Sequence, residues 1–397
     1  MLNIETNTPA SPFALFNLGF RPFFLSAAGF AVVAMAIWMG MLVFGWTIQP
    51  FGSVRIWHAH EMIFGYSLAV IAGFLLTAIK NWTNTQTLHG LPLSLLLLLW
   101  LAGRVLPFFS QAPNVDLLAV VDNLFILVLF LALAYPIIRA RQWQHGMILA
   151  ILLLLLASNT YFYYGLLHMS NNVITISLYS GLYLVMGLIF LMGRRVIPFF
   201  IEKGVDEEVK LKNFKWLDIL SPIVFLVFWY ADLFSNTPDL ISALALSLFF
   251  LHTIRLVGWH SRGLWQRPLL WSIYLAYASL TFGFALKAAA SQFLIPPVYA
   301  LHAFAVGGIA MMTLGMMARV ALGHTGRNVF TPPPILGTLF ILLFFAAIVR
   351  VLLPMFIPGQ YLLWIGFSQV LWIMAFTMFF VLFFPILCRP RIDGRSG

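Results

Sequence analysis

Charge is scarce in this chain: charged residues make up 9% of its 397 residues, hydrophobic residues make up 62%, and the mean hydropathy is +0.97. A water-soluble domain of this length carries roughly a quarter charged residues. The composition therefore excludes an ordinary soluble enzyme or binding domain. Cysteine is almost absent as well, because the single thiol, Cys388, permits neither a disulfide framework nor a cluster of thiolate metal ligands.

The formal net charge is nevertheless +10. The positive residues are spread through short connecting segments and form no stripe, so we expect no nucleic-acid partner. The stretch Gly323-His-Thr-Gly-Arg327 lacks the spacing of a phosphate-binding loop, and nucleotide binding is not supported. We interpret the basic residues as signals of membrane topology.

Apolar runs of about 20 residues, the length that crosses a bilayer as an α-helix, recur along the whole chain. They predict an all-α polytopic membrane bundle in the lipid bilayer, with about 12 transmembrane helices and a single integral membrane domain over residues 1–397. The predicted spans are Pro22–Phe44, Trp57–Ile79, Leu91–Phe109, Asp116–Ile138, Gly146–Leu167, Ile174–Gly193, Leu217–Leu233, Leu240–Gly258, Leu269–Ala289, Tyr299–Val320, Pro334–Leu353 and Tyr361–Leu387.

The orientation follows from the Lys and Arg residues, which accumulate in cytoplasmic loops. With the N-terminus inside, all but four of the 22 basic residues fall on the cytoplasmic side. The exceptions are Arg55, Arg104, Lys287 and Arg350. Both termini are therefore predicted to be cytoplasmic. The charged segment 201–216 is interpreted as a cytoplasmic loop joining two six-helix halves, residues 13–200 and 217–387.

Three arginines, Arg104, Arg195 and Arg350, lie near span ends and are followed closely by proline. Such an arginine can hold a propionate or phosphate group. Alternatively, it snorkels to the membrane interface while the proline ends the helix. We favour the second interpretation for all three.

Ionisable residues cluster at the mouth of the second span, in the motif Trp57-His-Ala-His-Glu-Met62. Such groups are costly within a membrane unless they are paired, bind a metal or face water. On a regular helix His58 and His60 lie about 200° apart and cannot hold one ion together. His58 and Glu61 are three residues apart and share a face, so we expect Glu61 to orient His58 or to carry protons beside it.

A third histidine is predicted at the same depth. His58 lies five residues after Ser53, a candidate helix cap, and His302 lies five residues after Pro297. Both are therefore roughly 7–8 Å from their helix starts and fall in one outer layer. A cofactor or metal site built from His58, His60 and His302 competes with a simpler interpretation, in which each histidine makes an interhelical hydrogen bond.

The tenth span adds further candidates. Met312 is a soft ligand suited to copper(I) or to a haem axial position, although methionine in a helix is usually core filler. Arg319, His324 and Arg327 follow at the cytoplasmic end of the same span, and Arg21 begins the first span. We expect these four residues to bind the anionic groups of a cofactor.

Several of these motifs resemble the NnrS family over about Phe13 to Leu387. The matching stretches are Phe20-Arg-Pro-Phe-Phe24, Trp57-His-Ala-His-Glu-Met62, Ala72-Gly-Phe-Leu-Leu-Thr77, Gly193-Arg-Arg-Val-Ile-Pro-Phe-Phe200, His302-Ala303 and Leu322-Gly-His-Thr-Gly-Arg327. The resemblance implies a bacterial inner-membrane protein linked to denitrification and to nitric oxide and nitrosative stress. It implies haem, which we expect to be b-type, and copper, but no settled reaction.

The family motif positions make His58, His60 and His302 the expected ligands. One position departs from the family pattern, because Tyr274 stands in the ninth span where a histidine is expected. This departure argues against an inner cofactor held there.

Three functions remain open. The first is a haem or haem–copper oxidoreductase acting on nitric oxide or a related small molecule, with Glu61 carrying protons and respiratory proteins as partners. The second is a proton-coupled secondary transporter that uses the same histidines and Glu61. The third is a structural or sensory partner of respiratory enzymes.

Overall fold

The computed structural model describes residues 13–48, 50–109, 114–293 and 295–394, and no β-strand occurs in these ranges. It contains twelve helices that are long and apolar enough to cross a membrane. The predicted all-α polytopic membrane bundle is therefore confirmed. The helices are α1 (Phe20–Val43), α2 (Val54–Thr83), α3 (Gly90–Phe108), α4 (Val115–Arg139), α5 (Trp143–Leu167), α6 (Asn171–Gly204), α7 (Lys215–Phe234), α8 (Pro238–Trp259), α9 (Pro268–Ala290), α10 (Val298–His324), α11 (Ile335–Phe356) and α12 (Pro358–Cys388).

Each predicted span coincides with one helix, and most helices extend beyond their predicted bounds, α2 and α6 by the most. Ser53 caps α2, since its Oγ accepts a hydrogen bond from the Ile56 N–H at 3.3 Å. Helix α6 continues through Pro198 to Gly204 instead of ending at Gly193. Membrane helices tolerate such a proline because neighbouring groups satisfy the freed backbone. The connection between α6 and α7 is therefore residues 205–214, shorter than the predicted loop.

The two helices that carry the histidine motifs are the most deeply buried of the twelve. In their apolar windows 83% of α2 and 78% of α10 is buried within the bundle. Each contains a π-helical segment directly after its histidine, Glu61–Ser67 in α2 and Ala303–Ala310 in α10. Long π-helical segments are rare and often coincide with functional sites. The motifs therefore lie on central, locally irregular helices.

Hydrogen bonds hold the first π-helical segment and join it to α10. The Ser67 hydroxyl donates to the Met62 carbonyl at 2.7 Å, and the Trp100 indole donates to the Gly65 carbonyl at 3.0 Å. The hydroxyls of Tyr66 and Thr313 are 2.7 Å apart and form a bond between the two helices. Helices α2 and α10 are thus tied together at the level of their irregular segments.

The first and last helices close the bundle. The Trp372 indole donates to the Ala31 carbonyl at 3.1 Å, and the Ala14 N–H donates to the Cys388 carbonyl at 2.8 Å. The two ends of the described chain therefore lie at the same end of the bundle, as the prediction of two cytoplasmic termini requires.

The predicted orientation places four basic residues on the outer side, and three of these lie inside the bundle and not in loops. Arg104 and Arg350 are buried, and Lys287 forms an ion pair with Asp232 at 2.7 Å. Only Arg55 among the four is exposed. Since the topology rule counts loop residues, these three do not oppose the predicted orientation.

Candidate functional site

His60 is the centre of a buried polar network. Its Nδ1 lies 3.1 Å from Glu61 Oε1, and its Nε2 lies 2.9 Å from Asn159 Oδ1. Arg104 donates to Glu61 Oε2 at 2.7 Å and also to Asp122 Oδ1. Helices α2, α3, α4 and α5 each supply at least one of these side chains. The network therefore joins four helices of the first half through polar contacts.

Every carboxylate oxygen of this network has a partner. The Tyr163 hydroxyl donates to the remaining oxygen of Asp122 at 2.9 Å. The ring of His60 also packs on Phe162, with centroids 4.4 Å apart. Buried charges persist in a membrane only when they are paired and hydrogen-bonded. We refer to His60, Glu61, Arg104, Asp122, Asn159 and Tyr163 together as the His60 network.

Two glycines make room for these charges. A Cβ on Gly65 would come within 2.6 Å of Arg104 Nη1 and 2.7 Å of Glu61 Oε2. A Cβ on Gly103 would come within 2.5 Å of Asp122 Oδ1. Any side chain at either position would therefore push the ion pairs apart.

The structure corrects two expectations about these residues. Glu61 was expected beside His58, but it contacts His60 and Arg104. Arg104 was expected to snorkel to the interface, but it is 3% exposed, and its two terminal nitrogens donate to the two carboxylates. The physical reason is that a carboxylate in a low-dielectric interior needs a cation. This need decides which side chain Glu61 contacts, even though Glu61 and His58 lie on the same face of an ideal helix.

His58 lies in a different environment. Its ring stacks on Trp38 of α1, with centroids 4.6 Å apart and planes 5° from parallel. Its Nδ1 is buried and has no hydrogen-bond partner in the described part of the chain. The structure confirms that His58 and His60 point to different neighbours. His58 is the one left with an unused ring nitrogen.

His302 lies near His58, and Arg350 lies near both. His302 Nδ1 is 2.8 Å from the Val298 carbonyl oxygen. A carbonyl can only accept, so Nδ1 carries the proton and Nε2 retains its lone pair. We refer to His58, His302, Arg350 and Trp38 as the His58 layer.

The His58 layer fits some metal groups better than others. No set of three or more His, Cys, Asp or Glu residues able to hold a metal ion occurs within residues 13–48, 50–109, 114–293 and 295–394. Two imidazoles, one with an orphaned buried nitrogen and one with its tautomer fixed by a carbonyl, are a donor set that would suit haem iron. The cationic Arg350 beside them suits an anionic substituent.

Met312 is not brought into this layer. It is buried in α10, ten residues after His302. That separation corresponds to roughly 15 Å along a helix, so the two side chains cannot share one ion.

The other residues that were expected to bind a cofactor lie at the end of the bundle that is predicted to be cytoplasmic, and they form a separate group. Arg21 donates to the Leu387 and Arg389 carbonyls at 2.9 and 2.7 Å, so it caps the C-terminal end of α12. The ring of His324 lies 5.6 Å from that of Phe20, and its side chain lies within electrostatic range of Arg21.

Arg319 and Arg327 have weaker protein contacts. The Arg319 guanidinium lies 3.9 Å from the centre of the Phe200 ring. Arg327 Nη1 lies 3.5 Å from the Thr325 carbonyl oxygen. Tyr274, at the position that departs from the family pattern, donates to the Leu256 carbonyl at 3.0 Å, with its ring 6.2 Å from His260. These residues lie at the opposite end of the bundle from the His58 layer.

Sequence reasoning missed four residues of these sites: Asp122, Asn159, Tyr163 and Trp38. Asp122 carried a usable signal, because it is a lone acid within an apolar span and such an acid needs a partner. The other three are ordinary residues for a membrane helix, and only their placement gives them a role.

Comparison with known proteins gives a family. No curated protein matches the chain. The family model described as NnrS protein matches residues 14–391, a range that includes all twelve helices and both π-helical segments. The chain therefore belongs to the NnrS family.

Proposed function

We propose that this protein is a haem protein of the bacterial inner membrane that acts on nitric oxide, or a related small molecule, in the nitrosative-stress response linked to denitrification. The observation that carries the proposal is the His58 layer. It combines a buried imidazole nitrogen without a protein partner, a second histidine at the same depth and a neighbouring arginine. Buried polar atoms are normally satisfied, so an orphaned one needs an explanation such as a ligand.

The residues of the layer would have distinct roles. His58 and His302 would hold haem iron through their ring nitrogens, and Arg350 would bind an anionic substituent such as a propionate. Trp38 would keep the His58 ring in one orientation. When bound, haem supplies an iron that binds nitric oxide and changes oxidation state.

The haem would be b-type, because covalent attachment of a c-type haem needs a Cys-x-x-Cys-His motif and the chain has one cysteine. The described residues do not fit a separate copper site, because Met312 lies apart from His302 and no cluster of three metal ligands occurs among them. Glu61 would carry protons towards the layer as part of the chain of buried groups around His60. Respiratory proteins would exchange electrons with the haem.

Absorption spectroscopy of the purified protein tests this proposal. The wild type is expected to show a Soret band, which His58→Ala and His302→Ala should abolish. His168→Ala is the matched control, because that exposed histidine stacks on Tyr164 at the surface and should keep the band. A folded, monodisperse wild type without colour or bound metal would overturn the haem proposal.

The alternative is a proton-coupled secondary transporter, and the His60 network favours it. Ionisable residues that face the interior of a membrane bundle are frequent in proton and substrate pathways. In that case proteoliposomes containing the colourless protein should accumulate a substrate when a proton gradient is applied. Glu61→Gln should stop this uptake, whereas a haem protein would show no gradient-driven uptake.

A further inference from the structure

A groove of about 630 Å³ opens at the cytoplasmic end of the bundle, away from both histidine sites. Its walls are the end of α2, the connection from α4 to α5 with the start of α5, and the second half of α6. One end of the groove is polar and includes Gln142, His145, Arg194 and Arg195. The remainder is largely apolar.

The polar end is rigidly built. The rings of Trp82 and His145 stack with centroids 4.6 Å apart and planes 13° from parallel. The Gln142 amide nitrogen donates to the Trp82 carbonyl at 2.7 Å, and its Oε1 lies 3.1 Å from His145 Nε2. This wall is therefore set in place before any ligand arrives.

The groove has unbalanced positive charge. Arg195 is exposed and has no hydrogen bond or ion pair within the described residues. Arg194 lies 3.9 Å from Asp218, at the limit of an ion pair, and its Nε is buried without a partner. Asp218 is itself engaged by Arg255 at 2.7 Å. Since no acid lines the groove, its charge is complementary to an anion.

The apolar part of the groove faces the lipid. Met147 is 60% exposed on the outer surface of the bundle, about one turn into α5. Met192 continues this surface along α6. A free anion would use only the polar end. An amphiphile with an acidic headgroup and an acyl chain would match both ends.

We propose that this groove binds one anionic phospholipid. Its phosphate lies between Arg194 and Arg195, and an acyl chain runs past Met147 and Met192. Basic pockets between transmembrane helices on the cytoplasmic side are a general solution for holding acidic headgroups. The lipid would pack the end of α6 against α5 and the connection that precedes α5.

Native mass spectrometry of the detergent-purified full-length protein tests this proposal. Protein is incubated with phosphatidylglycerol or phosphatidylcholine at equal mole fraction, and the retained lipid is counted. The wild type should retain phosphatidylglycerol in clear preference. Arg195→Gln should lower that retention about fivefold, the effect of removing one cation near a lipid headgroup. Arg194→Gln combined with Arg195→Gln should reduce it to the phosphatidylcholine level.

Two controls keep the result interpretable. Arg262→Gln removes an exposed arginine from the connection between α8 and α9, outside the groove, and should leave retention unchanged. Met192→Trp fills the apolar part and should lower retention of phosphatidylglycerol without removing charge.

Two outcomes would overturn the proposal. The first is full retention of phosphatidylglycerol by the double arginine variant. The second is complete displacement of the lipid by inorganic phosphate, which would identify the polar end as a small-anion site.

Discussion

His58 and His60 lie two residues apart on one helix and have opposite environments. Both nitrogens of His60 lie within hydrogen-bond distance of protein groups, and its neighbours balance a guanidinium against two carboxylates. His58 stacks on an indole and leaves Nδ1 buried without a partner. A buried polar group whose hydrogen-bond partners all come from the protein stabilises the fold, whereas a group that lacks a partner is available to a ligand.

Burying an ionisable side chain in a membrane costs free energy, and the two sites compensate this cost in different ways. In the His60 network, protein side chains supply the compensation, so disruption should appear as lost stability. In the His58 layer, the compensation would come from outside the chain, so disruption should appear as lost binding. The following predictions test this division, from the largest expected effect to the smallest.

Arg104→Ala should have the largest effect, because it leaves the carboxylates of Glu61 and Asp122 buried without their cation. The free energy of unfolding should fall by about 3–5 kcal/mol. Unfolding of the detergent-solubilised protein by sodium dodecyl sulfate measures this loss. Arg55→Ala, at the exposed start of α2, is the control and should change stability by less than about 0.5 kcal/mol.

A compensated variant sharpens the Arg104 test. Neutralising all three charges with Arg104→Met, Glu61→Gln and Asp122→Asn should recover most of the lost stability, because no unpaired charge remains. If the triple variant were as unstable as Arg104→Ala, charge pairing would not be the source of the effect.

Gly65→Ala should lower the free energy of unfolding by about 1–3 kcal/mol, since its methyl group would collide with Arg104 and Glu61. The same denaturation measurement applies. Gly187→Ala is the matched control, because its Cβ would meet only Phe225 at an ordinary 3.6 Å. Equal stabilities of the two variants would contradict the tight packing around the His60 network.

His60→Ala and His58→Ala should separate stability from binding. Loss of His60 leaves Glu61 and Asn159 each short of a partner and should cost about 1–3 kcal/mol while the Soret band remains. Loss of His58 removes no protein hydrogen bond, so the haem-free protein should be destabilised less, but the band should disappear. A reversed pattern would exchange the roles assigned to the two histidines.

Tyr66→Phe should have the smallest effect. It removes the bond to the Thr313 hydroxyl that joins α2 to α10, and should cost about 0.5–1.5 kcal/mol in the same denaturation measurement. Tyr230→Phe, at an exposed tyrosine of α7, should cost nothing measurable. If both variants behaved alike, the hydroxyl pair would contribute nothing to the contact between the motif helices.

The sequence predicted the helices well because a bilayer imposes the same requirement everywhere along the chain. Each span must be apolar for about 20 residues and must satisfy its backbone internally. Ser53 and the prolines before Val298 also gave the starts of α2 and α10 correctly. The end of α6 was placed too early, since a proline near a helix end does not always stop a membrane helix.

Side-chain partners were harder to predict. Glu61 was paired with His58 because the two residues lie on one face of an ideal helix. Arg104 was placed at the membrane interface because it lies near the end of a span. Both assignments failed because a buried carboxylate takes the nearest cation, and only the packing of α3 and α4 against α2 determines which cation that is.

By itself, the sequence determined the membrane environment and the number of helices, and it predicted the orientation and the level of the histidine motifs. These properties follow from hydrophobicity, charge bias and helical rise, which are local or additive. Only the tertiary structure decided that His60 is enclosed by its own network and that His58 stacks on Trp38 with an unused nitrogen. That distinction depends on which helices are neighbours, because polar groups in a membrane are satisfied across helices and not along them.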